Sequence, residues 1–273
     1  MKTLTLDDFL RLRRLVYRGA RPMEFTMWRH AFEGGGVEDA LDVLVCYQNE
    51  DGGFGYNLEA NLWNPHSSPM VTGYAIGQLG RVHFDDKDHP IVAGILKYLA
   101  ATITEKGWFG SVPSNNDYSH APWFGYDPET EPEAGSTQID FILKYAEQGS
   151  ELFQKAAALR MLRKPEEQPV PDFSDYDPTK FELWKPSPID YAPSPESELY
   201  PVCKDLVEAQ LDAMVERLHT ADEFHFTNYG DSQDYEQIIG NYYWAASDYI
   251  TQIETLNRFG RLEFQLPVDC GAN

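Results

Sequence analysis

Two stretches of this chain gather the side chains from which acid–base chemistry is built. The first runs from Asp51 to His66 and holds Asp51, Glu59, Trp63, Asn64 and His66. The second runs from Trp108 to Trp123 and holds Trp108, Asn115, Asn116, Asp117, Tyr118, His120 and Trp123. Carboxylates and imidazoles beside aromatic rings serve as general acid and base when burial moves their pKa values. On that reading Asp51, Glu59, His66, Asp117 and His120 are the candidate catalytic groups, and Trp63, Trp108, Tyr118 and Trp123 the candidate substrate-binding walls. Plainer roles are open to each. Asp51 suits a helix or turn cap, Glu59 a buried structural partner, and His66, between Pro65 and Ser67, a turn. Trp and Tyr serve cores more often than ligands. A third stretch of the same kind carries His225, Asn228, Tyr229 and Asp231. The residues imply no metal and no cofactor: Cys46, Cys203 and Cys270 are widely spaced and read as reduced thiols, not as a disulfide framework or zinc site.

Helices must position these polar lips. Val37 to Tyr47 reads as a helix that Gln48-Asn49-Glu50-Asp51 and the glycines Gly52, Gly53 and Gly55 cannot continue. Ser67-Ser68-Pro69 then starts a second helix, Met70 to Leu79. The pattern recurs. A helix over Ile91 to Ala101 opens at Pro90 and runs to Gly107-Trp108-Phe109-Gly110, which matches Gly52 to Gly55 at an offset of 55 residues, with Ile103 where Gln48 would stand. Another polar connection leads to a helix from Thr137 to Tyr145. Repeats of a helical hairpin cannot bury their apolar faces alone and stack side by side. Equivalent turns then fall at one end, which predicts that the two lips frame one site.

The turn Gln48-x-x-x-Gly52-x-Phe54 resembles the Q-W repeat of terpenoid cyclases and protein prenyltransferases, with Phe where Trp is commoner. The longer string, through Leu58-Glu59 to Asn64-Pro65-His66-Ser67-Ser68-Pro69, is similar to small bacterial prenyltransferase-like proteins. The resemblance covers about Val37 to Tyr145. It implies an all-α fold, an α/α toroid of helical hairpins around an apolar, aromatic-lined cavity, and an isoprenoid-like small-molecule ligand. The catalytic signatures of those families are missing. No D-x-D-D string occurs; Asp7-Asp8 and Asp85-Asp86 are followed by Arg11 and His89 where D-D-x-x-D needs its last acid; Cys270 directly follows Asp269 instead of forming D-x-C. Fold does not fix function. Toroids also host glycosidases and lyases, and carboxylates beside Trp and Tyr platforms suit a carbohydrate. A non-catalytic groove for a small molecule or peptide is the third reading.

The remainder bounds these readings. At 273 residues with 42% hydrophobic and 14% aromatic content, the chain can bury a large core. Its net charge of −22 argues against nucleic acid, which needs clustered Lys and Arg. No apolar run reaches membrane-spanning length, and the acidic start, Asp7-Asp8, is unlike a signal peptide, so a cytoplasmic protein is expected. Seven of the 22 bases, Lys2, Arg11, Arg13, Arg14, Arg18, Arg21 and Arg29, fall in the N-terminal stretch; they either pair with the acidic remainder or hold an anion. Apolar periodicity predicts further helices over Leu6 to Tyr17, Phe25 to Phe32, Glu151 to Arg163, Leu199 to His219 and Asp234 to Phe259, and about eight helices in one domain over 1–273. Nine of the 18 prolines lie between Pro165 and Pro201. Phe173, Phe181 and Trp184 are too apolar for a free tether, so this segment is expected to pack across the helices.

Overall fold

Local signals decide where the helices begin. Thr5 caps α1 (Leu6–Gly19) by accepting from the Asp8 amide while the Asp8 carboxylate accepts from the Thr5 amide. Proline occupies the first turn of α2 (Pro22–Phe32), α4 (Pro69–Arg81) and α5 (Pro90–Thr102), where its missing N–H costs nothing. Ser68 and His89 cap the last two through their side chains. In a computed structural model, which describes residues 1–162, 173, 176–178, 186–221 and 235–266 (backbone alone for 235–241), the others are α3 (Val37–Leu44), α6 (Ser136–Tyr145), α7 (Glu151–Leu162), α8 (Pro188–Tyr191), α9 (Tyr200–Thr220) and α10 (Tyr235–Arg258). Ten helices and only isolated β-bridges make the described residues all-α. Among them no helix is long and apolar enough to cross a membrane. The surplus over eight includes α8, a single turn that a Ser187–Asp190 capping box nucleates inside the proline-rich segment. Phe181, Trp184 and the third polar stretch, His225 to Asp231, lie outside the described residues.

The residues group into two compact units, 1–35 with 167–232 and 241–273, and 36–166 with 233–240. In the first, α1 packs on α2 and α9, and α8 on α9. Phe9, Trp28 and Phe32 form its aromatic centre, with ring centroids 4.8–5.7 Å apart. Of the proline-rich segment, Pro188 is buried, Phe173 touches the rings of Tyr176 and Tyr191, and the Ile189 amide donates to Gln210 Oε1 at 3.2 Å.

The N-terminal bases are largely spent inside this unit. Arg11 donates to the carbonyls of Leu218 (2.6 Å) and Ala221 (2.9 Å) at the end of α9, where helix carbonyls lack partners. Arg13 pairs with Glu33 at 2.7 Å, and Arg21 with Glu24. Arg261, fully buried, bonds Glu208, Asp212 (2.7 Å) and the Lys2 carbonyl (2.6 Å), tying the start of the chain to the end of α10.

The second unit holds the two polar lips. Here α4 packs against α3, α5 and α6, and α6 against α5 and α7. Its core is Ala40, Leu41, Leu44, Val71, Ala75, Leu79, Ile91, Ile95, Leu99, Ile139 and Ile142, the apolar faces of those helices.

Candidate functional site

Each lip hangs from a turn built on a left-handed glycine. Gly52 (φ 92°) closes the first, where Asn49 N donates to Gly53 O at 2.8 Å; a Cβ on Gly52 would lie 2.0 Å from Gly94 O of α5. Gly107 (φ 118°) closes the second, where Thr104 N donates to Gly107 O at 2.8 Å; its Cβ would lie 2.1 Å from Glu133 O. Phe54, fully buried, bridges to Ser68 at the start of α4, and Trp108, also buried, bridges to Glu133 shortly before α6. The aromatic equivalent to Phe54 is therefore Trp108. Matching at an offset of 55 put Phe109 there instead, but Phe109 is exposed, because the second turn is one residue shorter. Gln48 lays its amide over Gly94 and donates to Gly52 O at 3.0 Å, while Gln138 lies over Gly73 and donates to Pro69 O at 3.0 Å.

Beyond the turns the lips meet. Trp63 N donates to Ser119 O (2.9 Å) and Ala121 N to Asn61 O (2.8 Å), flanking an antiparallel bridge between Leu62 and His120. Leu62 and His120 are thus a closely spaced, non-hydrogen-bonded pair on one side of the ribbon, and alternation places Asn61 and Trp63 on the other. A buried amide pair fixes the join. Asn64 Nδ2 donates to Ser114 Oγ and to Asn115 Oδ1, both at 2.9 Å, and its Oδ1 accepts from His66 N at 2.9 Å. Asn115 Nδ2 in turn donates to Phe124 O at 2.9 Å. In the first lip, Tyr56 and Asn57 hold left-handed backbone (φ 55° and 61°), a strained pair of the kind that marks functional loops.

The candidate residues take these places. Asp51 Oδ1 accepts from Gly53 N (2.9 Å) and Ser67 Oγ (2.7 Å), so it ties the turn to the start of α4. Glu59 is buried, and its Oε2 accepts from Asn61 N at 2.8 Å. His66 faces Tyr118 across the lips, with Nε2 to OH at 3.4 Å and ring centroids 5.8 Å apart. His120 Nδ1 lies 2.6 Å from Tyr118 O; a carbonyl only accepts, so Nδ1 carries the proton. Asp117 is exposed at the end of a 3₁₀ turn, Pro113–Asp117. Trp63 is half-buried, with Nε1 donating to Ala60 O at 3.3 Å, whereas Trp108 belongs to the core. Tyr118 and Trp123 stand exposed at 37% and 46%. The structure brings His66 to Tyr118 and His120 to Leu62, and gives Asp51 and Glu59 separate local partners. Among the described residues, no three His, Cys, Asp or Glu side chains are grouped to hold a metal ion.

No family model, curated protein or solved structure matches this chain.

Two features escaped the sequence. Asn61 is buried at the join, and its amide oxygen has no hydrogen-bond partner among the described residues. Only its position, polar between Ala60 and Leu62, hinted at anything. In the first unit, Gln252 bridges Arg217 (Nε to Oε1, 3.2 Å) and Asp248 (Nε2 to Oδ2, 2.5 Å). Burial drives the Asp248 pKa up despite the opposing charge of Arg217.

Proposed function

We propose that the joined lips of the second unit form a recognition surface for a carbohydrate or a similar polyhydroxylated small molecule. The observation that carries this is the company kept by two exposed aromatic rings. Tyr118 and Trp123 are 37% and 46% exposed, and they belong with His66, His120, Asp117 and Asn116 to one zipped pair of loops, where His66 faces Tyr118. A sugar presents apolar C–H faces and a rim of hydroxyls. Exposed indole and phenol faces suit the first, and imidazole, amide and carboxylate groups the second. Exposed aromatics in such a cluster mark binding surfaces rather than cores. If the bound sugar is also cleaved, Glu59, the acid held away from water, is the candidate proton donor.

The α/α toroid belongs to the same proposal. Its support is the packing of α4 with α3, α5 and α6, with a lip following α3 and another following α5. An isoprenoid-like ligand, the other expectation from the resemblance, calls for an apolar lining. The amide, hydroxyl and imidazole groups of the lips favour the sugar. Isothermal titration with cellobiose, maltotriose and chitobiose, against farnesyl diphosphate, tests the choice. At least one saccharide should bind, and Trp123→Ala should weaken it tenfold or more while leaving the thermal midpoint unchanged, as exposed side chains do. Binding of farnesyl diphosphate alone, or of nothing, overturns the reading.

A further inference from the structure

Helix α1, in the first unit, carries apolar side chains on two faces. Phe9, Leu12, Leu15 and Val16 are buried where it packs on its neighbours, but Leu6, Leu10 and Tyr17 are 50%, 39% and 43% exposed. At about 100° per residue these three fall within about 40° of arc, so they form one apolar stripe along the helix. Single apolar residues on a surface are ordinary, whereas a contiguous stripe rimmed by charge is the form that interaction surfaces take. Tyr17 is held in the stripe. Its ring lies under the Arg13 guanidinium at 4.1 Å and edge-on to Phe25 at 4.8 Å, and its hydroxyl bonds Glu33. Asp7, Arg14 and Arg18 line one edge of the stripe, all exposed. Unlike Arg11, Arg13 and Arg21, they make no hydrogen bond or ion pair among the described residues.

We infer that this face of α1 docks against the same face of a second copy of the chain, antiparallel across a two-fold axis. Such an axis reverses the helix but keeps its edges, so charged edge meets charged edge and apolar stripe meets apolar stripe. With the axis midway along α1, Asp7 stands opposite Arg18 of the partner subunit, and the pair forms twice. Tyr17 then lies beside Leu6 of the partner subunit, with Leu10 close to the axis. An acidic partner protein or an anionic membrane would satisfy the arginines but leave Asp7 facing like charge. A second copy supplies both signs. Two chains at −22 repel at long range, but in about 0.15 M salt charges more than about 8 Å apart are screened, so the groups in contact decide. One helix of 14 residues, about 21 Å long, covers less than the roughly 800 Å² per partner of a standard interface, so the dimer is weak and exchanges rapidly.

Sedimentation velocity in about 0.15 M salt, from about 10 µM to about 500 µM chain, tests this and should show monomer passing to dimer. Leu10→Glu should raise the dimer Kd about tenfold or more, because it sets a charge against the stripe. Asp7→Arg or Arg18→Asp alone turns both pairs repulsive and should weaken the dimer about tenfold, whereas the two together should restore it. All three positions are exposed, so the thermal midpoint of the dilute variants should match the wild type. A wild type that stays monomeric throughout overturns the inference. So does a dimer indifferent to Leu10→Glu and to both single reversals, which would place the contact on another face. A double reversal that fails to restore association refutes the antiparallel pairing. A monomer that instead co-sediments with phosphatidylserine vesicles would give the face to a membrane and overturn the inference as well.

Discussion

Replacing Asn64 by Ala tests whether the lips are held as one piece. Asn64 and Asn115 are 1% and 0% exposed, and their amides face each other at 2.9 Å. Truncating Asn64 strands Asn115 Oδ1 in a dry site, which costs about 1–3 kcal/mol. It also removes the bond to Ser114 Oγ and the support of the His66 amide. Both of these reach solvent more easily, so they add about 1 kcal/mol together. The sum is about 3 kcal/mol, or a fall of roughly 6–12 °C in the midpoint for unfolding of the second unit. Urea unfolding followed by tryptophan fluorescence measures it, since Trp63, Trp108 and Trp123 all belong to that unit. A cycle with Asn115→Ala isolates the pair, and a coupling of about 1–2 kcal/mol is expected for amides in direct contact. A loss below about 0.5 kcal/mol, or two losses that simply add, would show that the amides do not staple the lips.

Two further outcomes follow from particular groups. Gly107→Ala and Gly52→Ala place a Cβ against a carbonyl oxygen at positive φ and should each cost more than the 1–2 kcal/mol of left-handed strain alone, whereas Gly110→Ala, with nothing within 4 Å of its Cβ, should leave the urea midpoint unchanged. On acidification the first unit should lose stability: at Glu208 and Asp212 burial opposes ionisation, but bonds from Tyr200 to Glu208, from the Lys2 amide to Asp212, and from Arg261 to both hold their pKa values below the usual 4.5 and 3.8. Carboxylates with depressed folded pKa values stabilise above the unfolded pKa and lose that stability as pH falls through the folded one, so the loss sets in near pH 4.5 and deepens below pH 3.8. Asp248, raised by burial, titrates in the opposite sense, and Asp248→Asn should steepen the loss; a flat stability profile between pH 6 and pH 3 would refute the assignment.

The helices were legible because their signals are local. Thr5 before an apolar stripe and Ser68-Pro69 before Met70 fix helix starts within a few residues of themselves. Gly52 and Gly107 were legible as turns for the same reason, since both adopt the positive φ that only glycine takes freely. The register of the aromatic beside Gly107 was not. Gly-x-x-Gly has the same spacing in both turns, and only burial distinguishes Trp108 from Phe109. The join of the lips was foreseen as a neighbourhood but not in its bonds. A bridge between Leu62 and His120 links residues far apart in sequence, and no local pattern announces its register. Asn61 and Asp248 are harder still, because their interest lies in what surrounds them in space.

The charged groups explain why the site reads as a surface for recognition before it reads as a pair of catalytic acids. In the first unit, Arg11, Arg13, Arg21 and Arg261 are bound to carboxylates or helix carbonyls, so the basic N-terminal stretch works largely as internal bonding. In the second unit the same economy holds for the lip acids and imidazoles. Asp51 serves a turn, Glu59 an amide of its own loop, and His120 a neighbouring carbonyl. Only amides cross from lip to lip while fully buried, and amides recognise without exchanging protons. On the carbohydrate reading proposed above, sugar hydroxyls, which donate and accept at once, would complement such a surface. Catalysis by Glu59 as proton donor would require the Asn61 amide to release its Oε2, or the proton it gives the substrate to sit on the other oxygen, Oε1. A Glu59→Gln variant that keeps full saccharide affinity but loses any reducing-sugar release would place the proton there. Loss of affinity and release together would instead make Glu59 a structural support of the lip.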